Sequence, residues 1–537
     1  MAMTSASRST PYPYIKPAEL DGNVGHCKVA IVGAGPIGLT LAIDLAQRGV
    51  ASVVFDENNV VSVGSRAICW AKRSLEIFDR LGVGERMLAK GVTWQVGRLF
   101  HRSKEVYRFD LLPEEGHKFP AFINLQQYYV ETYLIERALE FPTLIDLRFR
   151  NTVIGHDDRG DTVSLQIETP DGIYDMRADY LVACDGARSP TRARMGLEFE
   201  GQTFDEQFLI VDVHIPQSPF PTDRAERWFW FEPTFHEGQS ALLHKQPDDI
   251  YRIDLQLGPE ADAEKESEPE RISGRLEKML GDRVFTIDWF SIYRFTCARL
   301  NRFVHGRVIF CGDSAHVVSP FGARGGNGGI HDVDNLGWKM ARILEHGASS
   351  DILASYDRER CLGADENIKH SARTTRFMTP KTPFERLLRD EVLGLSRTSD
   401  FARRLINGGR LSWPCSYRKF TGDVGQGSGL WVGDVFLDAP LAGTGIGWLC
   451  ELIGPGFVAL KVDSSGSISV TRYDLNGRQL ESAAFQDEQG FVRARYKPGL
   501  NYLIRPDGHV VCILQETAAK TLSDRVLHSR WEDLHVA

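Results

Sequence analysis

Two glycine-rich runs hold most of the chemistry legible in this chain. The first is VGAGPIG, Val32 to Gly38, and the second is GDSAHVVSPFGARGGNGG, Gly312 to Gly329. In the first, Gly33-Ala34-Gly35-Pro36-Ile37-Gly38 reads GxGxxG, a spacing that suits a dinucleotide pyrophosphate. Gly33 permits the tight turn, Gly35 lets phosphate oxygens reach the backbone, and Gly38 lets a helix pack on a strand. Pro36 and Ile37 are further cofactor-binding candidates, and the helix that follows turns its first amides and positive dipole end to the phosphates. Asp56 closes the next apolar run, where a carboxylate accepts from a ribose hydroxyl. Two later runs repeat the grammar. YLVACDGARSPTRARMG sets Asp185-Gly186 after an apolar stretch, and GRVIFCGDSAH sets Gly312-Asp313 after another.

Each turn needs a strand before it, and two need a helix after. Lys28 to Val32 reads as a buried parallel strand, Leu39 to Arg48 as a helix stopped at Gly49, and Val53 to Phe55 as the second strand. Tyr180 to Cys184 and Val308 to Cys311 read as further strands, each ending at a carboxylate. That end of an open α/β sheet is where ligands bind. GIHDVDNLGWKMARIL reads as a helix with apolar positions three and four apart. This unit alone does not distinguish NAD from FAD, nor a substrate from a resident cofactor.

Taken in this order, the three runs resemble the fingerprint of the FAD-dependent aromatic hydroxylases. These are the para-hydroxybenzoate hydroxylase and phenol hydroxylase-like group A flavoprotein monooxygenases. The DGxxSxxR motif stands intact as Asp185, Gly186, Ser189 and Arg192. The GD motif stands as Gly312, Asp313, Ser314, Ala315, His316, Pro320, Gly322 and Asn327. The resemblance covers residues 27–400 or so. It departs at Ser314, where alanine is commoner, and at GARGGN, which puts Arg324 and Gly326 inside the loop.

The resemblance implies a Rossmann-like domain holding FAD tightly. Asp313 would accept from the ribityl chain, and Pro320 to Asn327, with Gly325 and Gly326, would wrap the isoalloxazine. The following helix would point its N-terminus at the flavin pyrimidine edge, where reduced flavin carries negative charge. Arg66, Gln127 and Val153 carry over as further FAD positions. The implied cycle has NADPH or NADH reduce FAD, O2 add at flavin C4a, and the hydroperoxide pass one oxygen atom to an electron-rich ring. No second GxGxxG follows a strand, so the nicotinamide cofactor is expected as a transient visitor. His316 has no ligand-spaced partner, so no metal role is expected.

The expected architecture is α/β with a mostly antiparallel substrate layer between the DG and GD motifs. EQFLIVDVHI, RWFWFEPT, SALLHKQ, YRIDLQL and FTIDWFSIYRFTCARL read as its strands. Their aromatics suit an aromatic ligand or plain packing. Candidates for contact with the ring are Pro320, through its carbonyl, and the polar side chains Arg252, His244, His236 and Gln246.

The remaining sequence bounds the answer. The chain has 537 residues, 42% hydrophobic and 25% charged, with a formal net charge of −9. That indicates a cytoplasmic globular protein of several domains, without nucleic-acid or membrane affinity. The N-terminal stretch has no apolar core of a secretory signal. Nine cysteines without a CxxC suggest free thiols. The expected division is an extension over 1–26, the FAD domain over 27–195 with some substrate-layer insertions, and the substrate sheet over 196–300. The FAD domain returns over 301–400, followed by a linker over 401–425. A thioredoxin-like domain without CxxC would occupy 426–537, for packing or dimerisation. Two further readings remain open: a same-fold FAD oxidoreductase without ring hydroxylation, such as a dehydrogenase or epoxidase, and a flavin-binding interaction protein.

Overall fold

The computed structural model describes residues 10–515 apart from 65–66, 95, 111–114, 223, 408–412, 422–428, 444, 455 and 464–466. Arg66 therefore lies outside the described residues. Among those described, no helix is long and apolar enough to cross a membrane.

The first sheet has a parallel core in the order Val308–Phe310, Gly172–Ala183, Gly25–Val32, Ser52–Asp56, Ile145–Phe149. Val29, Ala30 and Ile31 are fully buried on successive positions. Both faces of that strand are thus covered, which is why it reads as a continuous apolar run rather than an alternating one. The helix Pro36–Gln47 makes the crossover between Gly25–Val32 and Ser52–Asp56, and the helix Gly325–His346 packs against it. Thr152–Asp158 and Val163–Thr169 form an antiparallel arm paired onto Gly172–Ala183.

The second sheet runs His316–Val317, Thr286–Arg299, Glu200–His214, Ile250–Gly258, Ser240–Lys245, Glu226–Phe231, Val96–His101, Lys104–Asp110. All neighbours are antiparallel except Glu226–Phe231 with Val96–His101, which are parallel. Strands from before the DG motif thus complete this layer. Its outer face buries Trp230, Leu243, Ile253, Leu255 and Val211 against Ile272, Leu276 and Leu280 of the helix Pro269–Leu280. Its inner face carries Phe208, Phe229, Phe231 and Leu242, packed with Phe295 and Phe321. The aromatics of ERWFWF therefore split by strand alternation: Trp228 and Trp230 face the helix side, and Phe229 and Phe231 face inward.

The C-terminal sheet runs Gln479–Phe485, Ile468–Tyr473, Phe457–Val462, Leu500–Ile504, Val510–Gln515. Every described pairing in it is antiparallel. This departs from the thioredoxin-like expectation, which needs a parallel crossover. Strand patterning fixes which residues extend but not the direction of the partner. The stretch before this sheet contributes only isolated bridges at Val435, Pro440 and Ala442. Arg505-Pro506-Asp507-Gly508 is the turn the sequence indicates, closed by Gly508 N–H on Arg505 O at 2.9 Å. Part of the stretch expected as a linker is the helix Asp400–Asn407. All nine cysteines are unpaired.

A buried ionic seam fastens this sheet to the long helices. Arg505 donates to both carboxylate oxygens of Glu359 at 2.7 and 2.9 Å, and Lys339 Nζ donates to the same carboxylate at 2.9 Å. Glu359 and Lys339 are fully buried. Glu359→Gln would leave buried Lys339 without its carboxylate and Arg505 with Asp507 alone. We expect it to lower stability by about 3–5 kcal/mol, seen as a lower urea midpoint with an unchanged slope.

Candidate functional site

An elongated cavity of about 850 Å³ joins the C-terminal ends of the parallel strands to the inner face of the second sheet. Its lining includes Gly33, Gly35, Pro36 and Ile37 from the first turn. Asp56, Gln127, Val153, Asp185, Gly186 and Asp313 follow, and then Pro320, Gly325, Gly326 and Asn327. Gly38 and Gly312 stand behind the wall rather than on it.

The three glycines of the first turn have separable roles. Gly33 has φ +107°, and a Cβ there would lie 2.5 Å from the Cys184 carbonyl oxygen. A Cβ at Gly38 would lie 1.9 Å from the Gly33 carbonyl oxygen, so helix and turn pack with no room between them. A Cβ at Gly35 would meet nothing within 4 Å, although the backbone lines the cavity. Gly35 is thus kept clear for a ligand, not for packing. Asp56 Oδ2 accepts from Ala34 N–H at 2.7 Å and Oδ1 from Asn58 N–H at 2.8 Å, so this cavity-lining carboxylate braces the turn.

The DG and GD turns are tied to each other. Asp185 Oδ2 accepts from Thr191 N–H at 3.0 Å, while its buried Oδ1 has no hydrogen-bond partner. Ser189 caps the short helix Pro190–Arg194 by accepting from Arg192 N–H at 2.9 Å. Arg192 reaches the Ser314 carbonyl at 3.1 Å and the Ala187 carbonyl at 2.6 Å. Ser314, where alanine is commoner, has its hydroxyl 2.7 Å from Ala183 O and 2.8 Å from Cys311 O, pinning two strand ends together. Gly312 N–H donates to Asp332 Oδ2 at 2.9 Å. That carboxylate also accepts from His316 Nε2 at 2.7 Å and Arg360 Nε at 2.6 Å. Burial pushes the Asp332 carboxyl up, but His316 and Arg360 outweigh it and hold it at about 2. His316 is thereby a member of a buried hydrogen-bonded brace.

The flavin loop is built around Asn327. Its Oδ1 accepts from Ala71 N–H at 2.9 Å, and its Nδ2 donates to Cys69 O at 2.9 Å and Ala323 O at 2.6 Å. This side chain clamps the strand Cys69–Ala71 to the helix start, at the cavity wall. Ala323 sits in the left-handed region at φ 55°, a strained position for a residue with a Cβ. The Pro320 carbonyl accepts Ala323 N–H at 3.1 Å, so this carbonyl closes a turn at the cavity edge. Arg324 is buried, donates to Asn367 Oδ1 at 2.9 Å, and is lowered to about 10 by burial. Gln127 Oε1 accepts from Ala67 N–H at 3.1 Å and its Nε2 donates to Glu131 at 2.8 Å. Arg194 bonds the Val153 carbonyl. The helix Gly325–His346 begins at this wall, so its first-turn amides face the cavity.

On the opposite wall the register lines up Arg227, His244, Arg252 and Asp212 across adjacent strands. Arg252 grips Asp212 with Nε and Nη2 at 2.8 and 2.7 Å, and Gln246 supports the same carboxylate at 2.9 Å. Arg227, His244, Arg252 and Asp254 all line the cavity and are buried. Gln246 stays behind the wall. His236 bonds the Gln256 carbonyl and is also absent from the lining.

Sequence reasoning singled out His244 and Arg252, which line the cavity, but not Arg227, Asp254 and Asp332. Alternation offered a signal for the first two: Arg227 shares parity with the inward Phe229 and Phe231, and Asp254 shares it with Arg252. Asp332 shares its helix with Asp334, Lys339 and Arg342, so no local pattern marked it out.

The FAD binding domain family matches residues 26–371. A flavin-dependent monooxygenase of Mycobacteroides abscessus is 32% identical over 349 residues, 62% of this chain and 70% of that protein. A 3-(3-hydroxy-phenyl)propionate/3-hydroxycinnamic acid hydroxylase of Klebsiella pneumoniae is 30% identical over 390 residues, 71% of this chain and 67% of that one. The hydroxylase of that name from Mycolicibacterium gilvum, 29% identical over 380 residues and 70% of this chain, is matched over 65% of its length. The crystal structure of the flavin-dependent monooxygenase PieE with FAD and substrate superposes with a TM-score of 0.77. It covers 94% of this chain and 99% of that one at 21% identity. The chain belongs to the FAD binding domain family and is an FAD-dependent monooxygenase of the aromatic hydroxylase type.

The residues present fit FAD. The open face of Gly35, the unpartnered Asp185 Oδ1 and the helix start at Gly325 lie along one cavity. Two glycine variants separate ligand clearance from packing. Gly35→Ala is expected to leave apoprotein melting unchanged and to weaken FAD by at least about tenfold. Gly38→Ala is expected to destabilise the apoprotein itself by about 1–3 kcal/mol. Thermal melts of apoprotein with fluorescence titration of FAD check both. Asp332→Asn unpairs His316 and Arg360 and is expected to cost about 3–5 kcal/mol, read as a lowered melting temperature and flavin loss on gel filtration.

Proposed function

We propose that this enzyme hydroxylates a phenolic or related aromatic compound, using NADPH or NADH as reductant and O2 as oxidant. The observation that carries the reading is one continuous cavity. It has a dinucleotide turn at one end and a ring-sized apolar wall with buried polar groups at the other. Bound FAD supplies the redox and oxygen-activating chemistry. The chain's own residues place and enclose it. Asp56 and Gly35 serve the adenosine and pyrophosphate end, Asp313 the ribityl chain, and the loop from Pro320 to Gly326 the ring system. The first amides of Gly325–His346 stabilise negative charge that develops at the ring's pyrimidine edge. Phe321, Phe295 and Ile210 line the substrate end and keep water from it. Hydroxylases named for 3-(3-hydroxyphenyl)propionate among the relatives favour a phenol bearing an acidic side chain.

The test is a screen of phenols and aromatic acids for stimulation of NADPH and NADH oxidation by the purified holoenzyme, under labelled dioxygen. A stimulated oxidation with one labelled oxygen atom in the product is expected. Stimulated oxidation whose product never contains the label would establish an oxidoreductase without hydroxylation. Asp313→Ala is expected to retain less flavin than the parent through gel filtration, measured by the ratio of flavin to protein absorbance. Equal retention would remove Asp313 from the ribityl site.

A further inference from the structure

The inner wall of the substrate sheet holds four buried ionisable groups whose charges do not pair off evenly. Arg252 has Asp212, gripped through two hydrogen bonds. Arg227 has no carboxylate within ion-pair distance among the described residues. It lies over the Phe229 and Trp94 rings at 4.8 and 5.5 Å, with its Nε unbonded. His244, its register partner, has no hydrogen bond at either ring nitrogen. Asp254 Oδ2 lies 3.8 Å from His244 Nε2, beyond hydrogen-bond reach, and Asp254 Oδ1 has no partner at all. Asp254 stands in a row of Phe229, Leu242 and Ile210 on the neighbouring strands. All four groups open on the cavity. A buried guanidinium and a buried carboxylate, both short of partners and facing a ligand space, cost free energy unless a ligand satisfies them.

We propose that Arg227 binds an oxyanion borne by the aromatic substrate, and that Asp254 takes up a proton as this anion arrives. The proposal rests on the hydroxylase reading and adds the charge its substrate presents at the reacting end. Before binding, Asp254 is the loose countercharge to Arg227. An incoming oxyanion replaces it and repels it, and protonation then lets the Asp254 carboxyl donate a hydrogen bond inside the site. For a ligand that arrives as a carboxylate, the proton comes from solvent. For a ligand that arrives as a neutral phenol, the phenolic O–H breaks, the phenolate remains on Arg227, and the proton goes to Asp254 with none exchanged with solvent.

The surrounding groups leave Asp254 as the proton acceptor. Burial pushes its carboxyl up to about 6, against the pull of Arg252 and Arg227. Burial, then Arg227 and Arg252, hold His244 well below the usual imidazole range, so it stays neutral. Asp212 is held by Arg252 and Gln246. The Cys69 thiol, on the facing strand Cys69–Ala71, is pushed up by burial and donates to Asn124. Among the described residues, Tyr293 and Arg294, on Thr286–Arg299, and Arg324 complete the ionisable groups on this part of the wall. The sign follows: a carboxyl whose affinity for its proton rises on binding makes acid ligands bind more weakly as pH rises above about 6.

The experiment uses oxidised holoenzyme without reductant, so binding is read apart from turnover. Flavin difference spectra and calorimetry in two buffers of different ionisation enthalpy follow benzoate, 3-phenylpropionate, their amides, phenol and 3-cresol. Three results are expected. First, either the acids bind with uptake of about one proton each at pH 7.5, or the phenols bind with a phenolate absorption band and no buffer exchange; the first outcome identifies a carboxylate as the oxyanion and the second a phenolate. Second, Arg227→Gln weakens the preferred class by about thirtyfold or more, while Arg227→Lys recovers part of it and amide binding does not move. Third, Asp254→Asn abolishes the proton uptake and the pH dependence of acid binding, or the phenolate band, and leaves flavin content unchanged. Acids, amides and phenols binding alike, including no binding by any of them, would overturn the proposal. So would proton uptake that persists in Asp254→Asn. Neither result bears on hydroxylation, which the labelled-dioxygen screen decides separately.

Discussion

The cofactor cavity depends on a single buried carboxylate. Asp332 receives Gly312 N–H from the GD turn, His316 from the strand beyond it, and Arg360 from the long helix Leu353–Met378. Two adjacent segments and a later helix thus share one anion, in a place where an unpaired charge would be costly. The GD turn is already committed to left-handed backbone, with Gly312 at φ 64° and its missing Cβ facing Ile37. Without Asp332 the turn would have an orphaned amide and no reason to stay against the first helix. Arg192 then couples the DG turn to the same assembly through the Ser314 carbonyl. The three ligand turns are rigid relative to one another because polar groups of one satisfy backbone groups of the next.

The same economy governs the flavin loop. Helix starts leave amides unpaired, and a dinucleotide enzyme uses those amides for its ligand. The loop must therefore be anchored by side chains that point away from the cavity. Asn327 does this with three hydrogen bonds to main-chain groups of Cys69, Ala71 and Ala323. Asn327 thus ties the start of the helix to the strand Cys69–Ala71. Ala323 in the left-handed region shows how tightly the loop is drawn.

What the sequence revealed follows from which constraints are local. Gly33 and Gly38 are legible because their neighbours exclude a Cβ, and those neighbours are themselves fixed by the strand–turn–helix unit. The strands of the substrate layer are legible from alternation alone. Three things were not. The role of Asp332 is set by Arg360 and His316, which approach only in the folded chain. The parallel pairing of Val96–His101 with Glu226–Phe231 joins segments separated by the whole DG region. The antiparallel C-terminal sheet differs from a thioredoxin-like one in partner direction, which no local pattern encodes.

The substrate layer shows why alternation matters chemically as well as structurally. In ERWFWF the two tryptophans serve the helix-side core, while Arg227, Phe229 and Phe231 share the inner side. A slip of one residue would exchange these sets and present indoles to the cavity instead of a guanidinium. The pairing across Arg227, His244, Arg252 and Asp212 keeps that register. Only the last two of these satisfy each other, since the bidentate geometry at Asp212 uses the charge of Arg252 fully. Polarity on this wall is therefore concentrated at Arg227, His244 and Asp254, and the apolar residues around them raise the cost of leaving it unanswered. A ligand that supplies both a ring and a negative oxygen meets both halves of that wall at once.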